Sequence, residues 1–142
     1  MTARAHLWRL IAAAALGLLA LQAQADAVVV VAARSPIKAL TPDEIVDVFL
    51  GRLTKLPDGT RATPVDQHES SPVRTEIYAS LASMSPVQLK AYWAKLIFTG
   101  RGRPPRAVAG DEEVLRIVRA DPAAIGYMDR SLADHTVRIL HP

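Results

Sequence analysis

Hydrophobic and polar positions fall in blocks along this chain, and the period changes from block to block. Ala27 to Ala33 (AVVVVAA) is an unbroken apolar run rich in β-branched residues. It is too short for a typical helix and predicts a strand buried on both faces, hence central in a sheet. Thr41-Pro42-Asp43-Glu44 predicts a helix start. Thr41 can cap, Pro42 suits the first helical position, and Glu44 completes a capping box. Ile45, Val48 and Phe49 then share one face, and Gly51 ends the helix. Pro57-Asp58-Gly59 predicts a turn, and Ala62 to Asp66 a strand that runs into a polar loop.

Ser71-Pro72 opens a second helix with Ile77, Tyr78 and Leu81 on its apolar side. Ser85-Pro86 opens a third, in which Leu89, Trp93, Leu96 and Ile97 are spaced for burial. Tyr92, Trp93 and Phe98 read as core aromatics. Thr99 to Pro105 (TGRGRPP) is punctuated by glycine and proline and reads as a loop. Gly110-Asp111 opens a fourth helix, with Val114, Leu115 and Val118 apolar, and Asp121-Pro122 stops it. Ile125 to Met128 and Val137 to Leu140 read as closing strands, with Tyr127 packed in the first of them. Strands interleaved with helices predict an α/β fold: a single-domain, three-layer α/β sandwich with a mixed sheet.

The N-terminal segment follows other rules. Arg4 and Arg9 precede an uncharged apolar run of 12 residues, Leu10 to Leu21. That is short of the roughly 20 residues needed to span a bilayer. Ala23 and Ala25 then have the spacing of a signal-peptidase site. The pattern predicts a cleavable signal peptide over residues 1–25 and a domain over residues 26–142, working outside the cytoplasm in the periplasm. No cysteine is present to carry a lipid anchor.

Removing that segment changes the charge picture. The whole chain carries a formal net charge of +3, but two of its 17 basic residues and none of its 14 acidic ones precede Ala25. The remainder is close to neutral, so nucleic acid is not an expected partner. The absence of cysteine excludes disulfides, thiolate metal sites and thiol catalysis. His68, His135 and His141 lack ligand spacing, so no metal is expected, and no P-loop or dinucleotide fingerprint implies a cofactor. Asp66, His68 and Ser70 or Ser71 contain the residue types of a hydrolase triad, but no G-x-S-x-G elbow surrounds either serine. The expectation is a protein that is not an enzyme.

The chemistry that remains is anion recognition. Asp66 to Arg74 (DQHESSPVR) brings hydroxyl donors and a guanidinium to a helix N-terminus, where free N–H groups and the helix dipole favour negative charge. Ser70, Ser71 and Arg74 are the candidates. The plainer reading is that Ser70 or Ser71 caps the helix while Arg74 is solvated or pairs with Glu69 or Glu76. Ser35, after the first strand, is a further candidate, because ligands favour the C-terminal edge of open α/β sheets. Its plainer reading is a turn residue before Pro36. Arg101, Arg103 and Arg106 form a small basic loop, for an anion, a partner or solvent.

Four segments, DEIVDVFLGR, TPVDQHESSPVRTEIY, AYWAKLIFTGRGRPP and DPAAIGYM, together resemble the phosphate-binding-protein-like domain, the substrate-binding component of phosphate ABC transporters and its short relatives. The resemblance runs from about Val28 to Met128 and implies one lobe of a type II periplasmic binding protein. In that family an arginine, three residues and Ser-Gly-Thr form the matching loop. Laid on this chain, the arginine falls on Gln67 and the triplet on Ser71, Pro72 and Val73, so Ser71 alone is kept. The resemblance implies an exported solute-binding protein for phosphate or a related oxyanion, serving an ABC-type transporter. The alternative is a non-catalytic periplasmic interaction or sensory module that has lost ligand binding and meets a membrane sensor. A homodimer rebuilding a two-lobed cleft joins both.

Overall fold

A computed structural model describes residues 25–142, so the predicted signal peptide lies almost wholly outside the described residues. Nine elements follow one another: β1 (Ala27–Ala32), α1 (Pro42–Phe49), β2 (Thr63–Gln67), α2 (Pro72–Ala82), α3 (Pro86–Phe98), β3 (Arg106–Val108), α4 (Asp111–Ala120), β4 (Ala124–Asp129) and β5 (Val137–His141). The five strands form one mixed sheet in the order β3-β2-β4-β1-β5. β2 runs parallel to β3 and to β4, whereas β1 runs antiparallel to β4 and β5.

β1 explains the layering. Its side chains alternate between the two faces, and all six residues are buried. Val29 and Val31 join Ile125 and Tyr127 beneath α1, α2 and α3. Val28 and Val30 join Val65, Met128 and the α4 residues Val114 and Val118 on the other face. The fold is therefore an α/β sandwich of three layers, with three helices on one face and one on the other.

The helix starts are locally encoded. Thr41 and Glu44 form the capping box of α1, Ser71 caps α2, and Ser85 with Gln88 forms the capping box of α3, each followed by proline. α1 ends at Gly51, whose φ of +72° lies in the left-handed region that favours glycine. A Cβ there would also come within 3.3 Å of the Trp93 ring. Tyr92 fixes the same corner by donating its hydroxyl to the Leu50 carbonyl at 2.7 Å.

Three expectations change. Arg106, expected in the basic loop, instead opens β3, because Arg106, Ala107 and Val108 pair in parallel with Val65, Asp66 and Gln67. Phe98 is 92% exposed and Ile97 55% exposed, so the end of α3 does not enter the core. α3 joins the core through Leu89 and Trp93, and its last two residues stand exposed.

Gly126 is the tightest point between the sheet and α4. A Cβ on it would meet Val114 Cγ1 at 2.6 Å. Valine has little rotamer freedom to yield. Gly126→Ala is therefore expected to destabilise the domain by about 1–3 kcal/mol in urea unfolding. The double variant Gly126→Ala/Val114→Ala should recover part of that loss. Additive losses would show that the contact is not the cause.

Candidate functional site

The C-terminal ends of β2, β3 and β4 lie at one edge of the sheet, because these three strands run parallel. The β2–α2 loop stands on that edge. It runs from Asp66 and Gln67, both buried, through exposed His68, Glu69 and Ser70 to the cap residue Ser71.

Asp66 is the centre of the arrangement. Its side chain is 3% exposed, and the Arg74 guanidinium, 14% exposed, pairs with it. Arg74 Nε reaches the two carboxylate oxygens at 3.2 and 3.3 Å, and a second guanidinium nitrogen donates to Oδ2 at 3.3 Å. The Tyr78 hydroxyl donates to Oδ2 at 3.3 Å, and the Tyr127 hydroxyl donates to Oδ1. The Arg74 guanidinium also lies 5.3 Å from the centre of the Tyr78 ring. Tyr78, Tyr127 and Phe49 stack edge to face around the group. Burial, followed by the Asp66 charge, raises the pKa of both phenols far above the ordinary range.

Gln67 extends the network. Its amide nitrogen donates to Asp111 Oδ1 at 2.7 Å and to the Tyr127 carbonyl at 3.0 Å. Its amide oxygen accepts from the Ser71 hydroxyl at 2.7 Å. Ser71 Oγ in turn accepts from the Arg74 N–H at 3.2 Å, which caps α2. Gln67 thus joins the start of α2 to the first residue of α4.

The five sequence candidates separate into three groups. Gln67, Ser71 and Arg74 come together, but their hydrogen bonds run to one another, to Asp66, to Asp111 and to the Tyr127 carbonyl. Ser70 faces solvent, with its hydroxyl 2.8 Å from His68 Nδ1. Ser35 stands at the opposite edge of the sheet, because β1 runs against β2, β3 and β4. It is buried there, donating its hydroxyl to the Pro122 carbonyl at 2.5 Å and accepting from the Ile37 N–H at 3.2 Å. The partner of Arg74 is Asp66, rather than Glu69 or Glu76. Glu76 instead accepts from the Ala27 N–H at 3.1 Å. Among the described residues, no group of three His, Asp or Glu is placed to hold a metal. No helix of the described residues is long and apolar enough to cross a membrane.

An open cleft of about 820 Å³ lies beside the loop. Asp66, Gln67, His68, Glu69, Ser70 and Arg74 line it from β2, the loop and α2, and Val87, Lys90 and Ile97 line it from α3. Lys90 is exposed and makes no ion pair or hydrogen bond among the described residues. Sequence reasoning passed over it, since a single lysine on a helix reads as solvated surface. Only the folding of α3 toward β3 places it opposite Ser70.

No protein-family model matches the sequence, and no curated protein matches it significantly. The fold does match solved structures. One is an ABC-type phosphate transport receptor from Vibrio cholerae, with a TM-score of 0.63 and 15% identity over 82% of this chain. Another, from Clostridium perfringens, is described as a phosphate ABC transporter substrate-binding protein and was solved with bound phosphate. It gives a TM-score of 0.63 and 18% identity, also over 82% of this chain. The match spans 45% and 44% of those two chains. What the match shows is the fold: the described α/β sandwich resembles somewhat under half of each of those two chains.

Arg74→Ala is expected to cost about 3–5 kcal/mol of stability in urea unfolding, because it strands the Asp66 carboxylate in the core. Arg101→Ala, in the exposed loop, should stay within about 0.5 kcal/mol. Equal effects would contradict the pairing. The phenols give a pH signature. Their raised pKa values mean that their contribution to stability is complete below the ordinary tyrosine pKa of about 10 and falls as pH rises past it. Tyrosinate absorbance at 295 nm from Tyr78 and Tyr127 should therefore emerge together with loss of the circular dichroism signal, not before it.

Proposed function

We propose that this chain is an exported solute-binding module that holds phosphate or a related oxyanion in the cleft beside the start of α2. In this reading it serves an ABC-type transporter in the periplasm. One observation carries the reading: Lys90, Ser70 and His68 converge on the cleft beside the N-terminal turn of α2. The shared fold supports it, because one of the similar structures contains bound phosphate. The Asp66–Arg74 pair is charge-neutral, which leaves Asp111 behind Gln67 and Glu69 on the rim as the negative charges beside the loop. The signal-like pattern of residues 1–25 supports export.

The site departs from the arginine and Ser-Gly-Thr arrangement that the sequence resemblance implies. Gln67 is neutral and internally bonded, Pro72 has no N–H, and the Ser71 hydroxyl is committed. The binding groups assigned here are Ser70, His68 and Lys90, with Gln67, Ser71 and Arg74 holding the loop in place. These internal bonds also favour a second reading, an interaction or sensory module without a ligand. Ser35 belongs to neither reading on geometric grounds, since it lies at the far edge of the sheet.

A thermal-shift and calorimetric screen with phosphate, sulfate and carboxylates separates the two. A bound anion must raise the melting temperature as its concentration passes the dissociation constant. The expected result is stabilisation at millimolar anion that is weakened at least threefold in Lys90→Gln and in Ser70→Ala. Both residues are exposed, so neither variant should disturb folding. The absence of heat and of stabilisation with every anion would leave the interaction module as the reading.

A further inference from the structure

The cleft has a wall that recognition of an inorganic anion does not use. α3 presents Val87, Lys90, Ala94 and Ile97 along one face at helical spacing. Pro104 and Pro105 stand against that wall. Val87 is 78% exposed and Ile97 55% exposed, so this is apolar surface open to the cleft. Trp93 lines the same cleft and is only 5% exposed. Its indole N–H is buried and has no hydrogen-bond partner among the described residues. That N–H is closed off from the cleft, so the part of Trp93 that lines the cleft adds to its apolar wall.

Size points the same way. The cleft, at about 820 Å³, falls in the range of roughly 300–1,000 Å³ that holds drug-sized organic ligands. Such sites combine apolar walls with a few polar groups that fix orientation. Here the polar groups sit together at the loop end, and the apolar ones extend along α3.

We propose that the ligand is an organic oxyanion: a phosphonate, phosphate monoester or carboxylate joined to an apolar body. The anionic head meets Lys90, Ser70 and His68. The body lies on Val87, Ile97 and the proline pair. Glu69 on the same rim opposes a second negative charge on the body. This inference rests on the proposed oxyanion reading and narrows its ligand class.

The test uses the full chain with three probes: phenylphosphonate, inorganic phosphate and neutral benzyl alcohol. Phenylphosphonate is expected to bind about tenfold more tightly than phosphate, equivalent to about 1.4 kcal/mol, and benzyl alcohol more weakly than either. Ile97→Ser should weaken phenylphosphonate at least threefold and leave phosphate unchanged. Ile97 is exposed, so this variant keeps the test valid even if core substitutions misfold. Phenylphosphonate should also alter tryptophan fluorescence, and Trp93→Phe, which keeps Trp8, should abolish that change. Equal affinity for phosphate and phenylphosphonate, or no effect of Ile97→Ser, would overturn the inference while leaving an oxyanion site. Benzyl alcohol binding as tightly as phenylphosphonate would overturn it by showing that the head is not recognised. No binding of either anion would overturn the proposed function as well.

Discussion

A carboxylate withdrawn from water must be compensated where it sits, or it is protonated or the fold gives way. Asp66 stands at the end of β2 with its side chain almost wholly buried. Arg74 supplies the opposite charge from α2, Tyr78 a hydroxyl from the same helix, and Tyr127 a hydroxyl from β4. One group therefore ties two neighbouring strands to the helix that follows the first of them. The geometry of the β2–α2 loop is a consequence. Asp66 fixes the position of Arg74, Arg74 fixes the first turn of α2, and Gln67 links the Ser71 cap to Asp111 at the start of α4.

That constraint decides what the loop can offer a ligand. A guanidinium that neutralises a buried carboxylate cannot leave it for a passing anion without exposing the cost of the unpaired charge. Gln67 and Ser71 are similarly committed. The loop is thus a rigid support, and the groups left to face a ligand stand around it: Ser70 and His68, bonded to each other, and Lys90 on α3. The neutral amide at Gln67 suits this role. A cation in its place could still donate to Asp111 and the Tyr127 carbonyl but would lack the acceptor that Ser71 donates to.

Much of the fold was legible because it is written in local rules. The capped starts of α1, α2 and α3 require only a serine or threonine, a proline and, in two of them, a returning side chain. The uniform burial of β1 follows from its unbroken apolar run. What was not legible depends on contacts between distant segments. Whether Asp66 or a nearer glutamate pairs with Arg74 turns on which carboxylate points into the core. β3 exists because β2 offers it an edge to pair with. Ser35 lies at the C-terminal end of β1 as expected, but which edge of the sheet that is could not be read, because strand direction is not encoded in a run of valines. The antiparallel course of β1 carries it to the far edge. The apolar end of α3 read as core because helical periodicity shows which face is apolar, but not what covers it.

The two unusual features of the site are then parts of one design. A loop whose side chains are already bonded loses little conformational freedom when a ligand arrives, so little ordering entropy opposes binding. The same commitment removes the donors that would otherwise hold a small, strongly hydrated anion. Binding strength must come from elsewhere on the rim, and the open surface there is the apolar face of α3 with one lysine in its middle. In the proposed reading, a rigid polar edge set against an exposed apolar wall would select for ligands that bring their own hydrophobic area. Discrimination would then rest less on the geometry of the oxyanion than on what is attached to it.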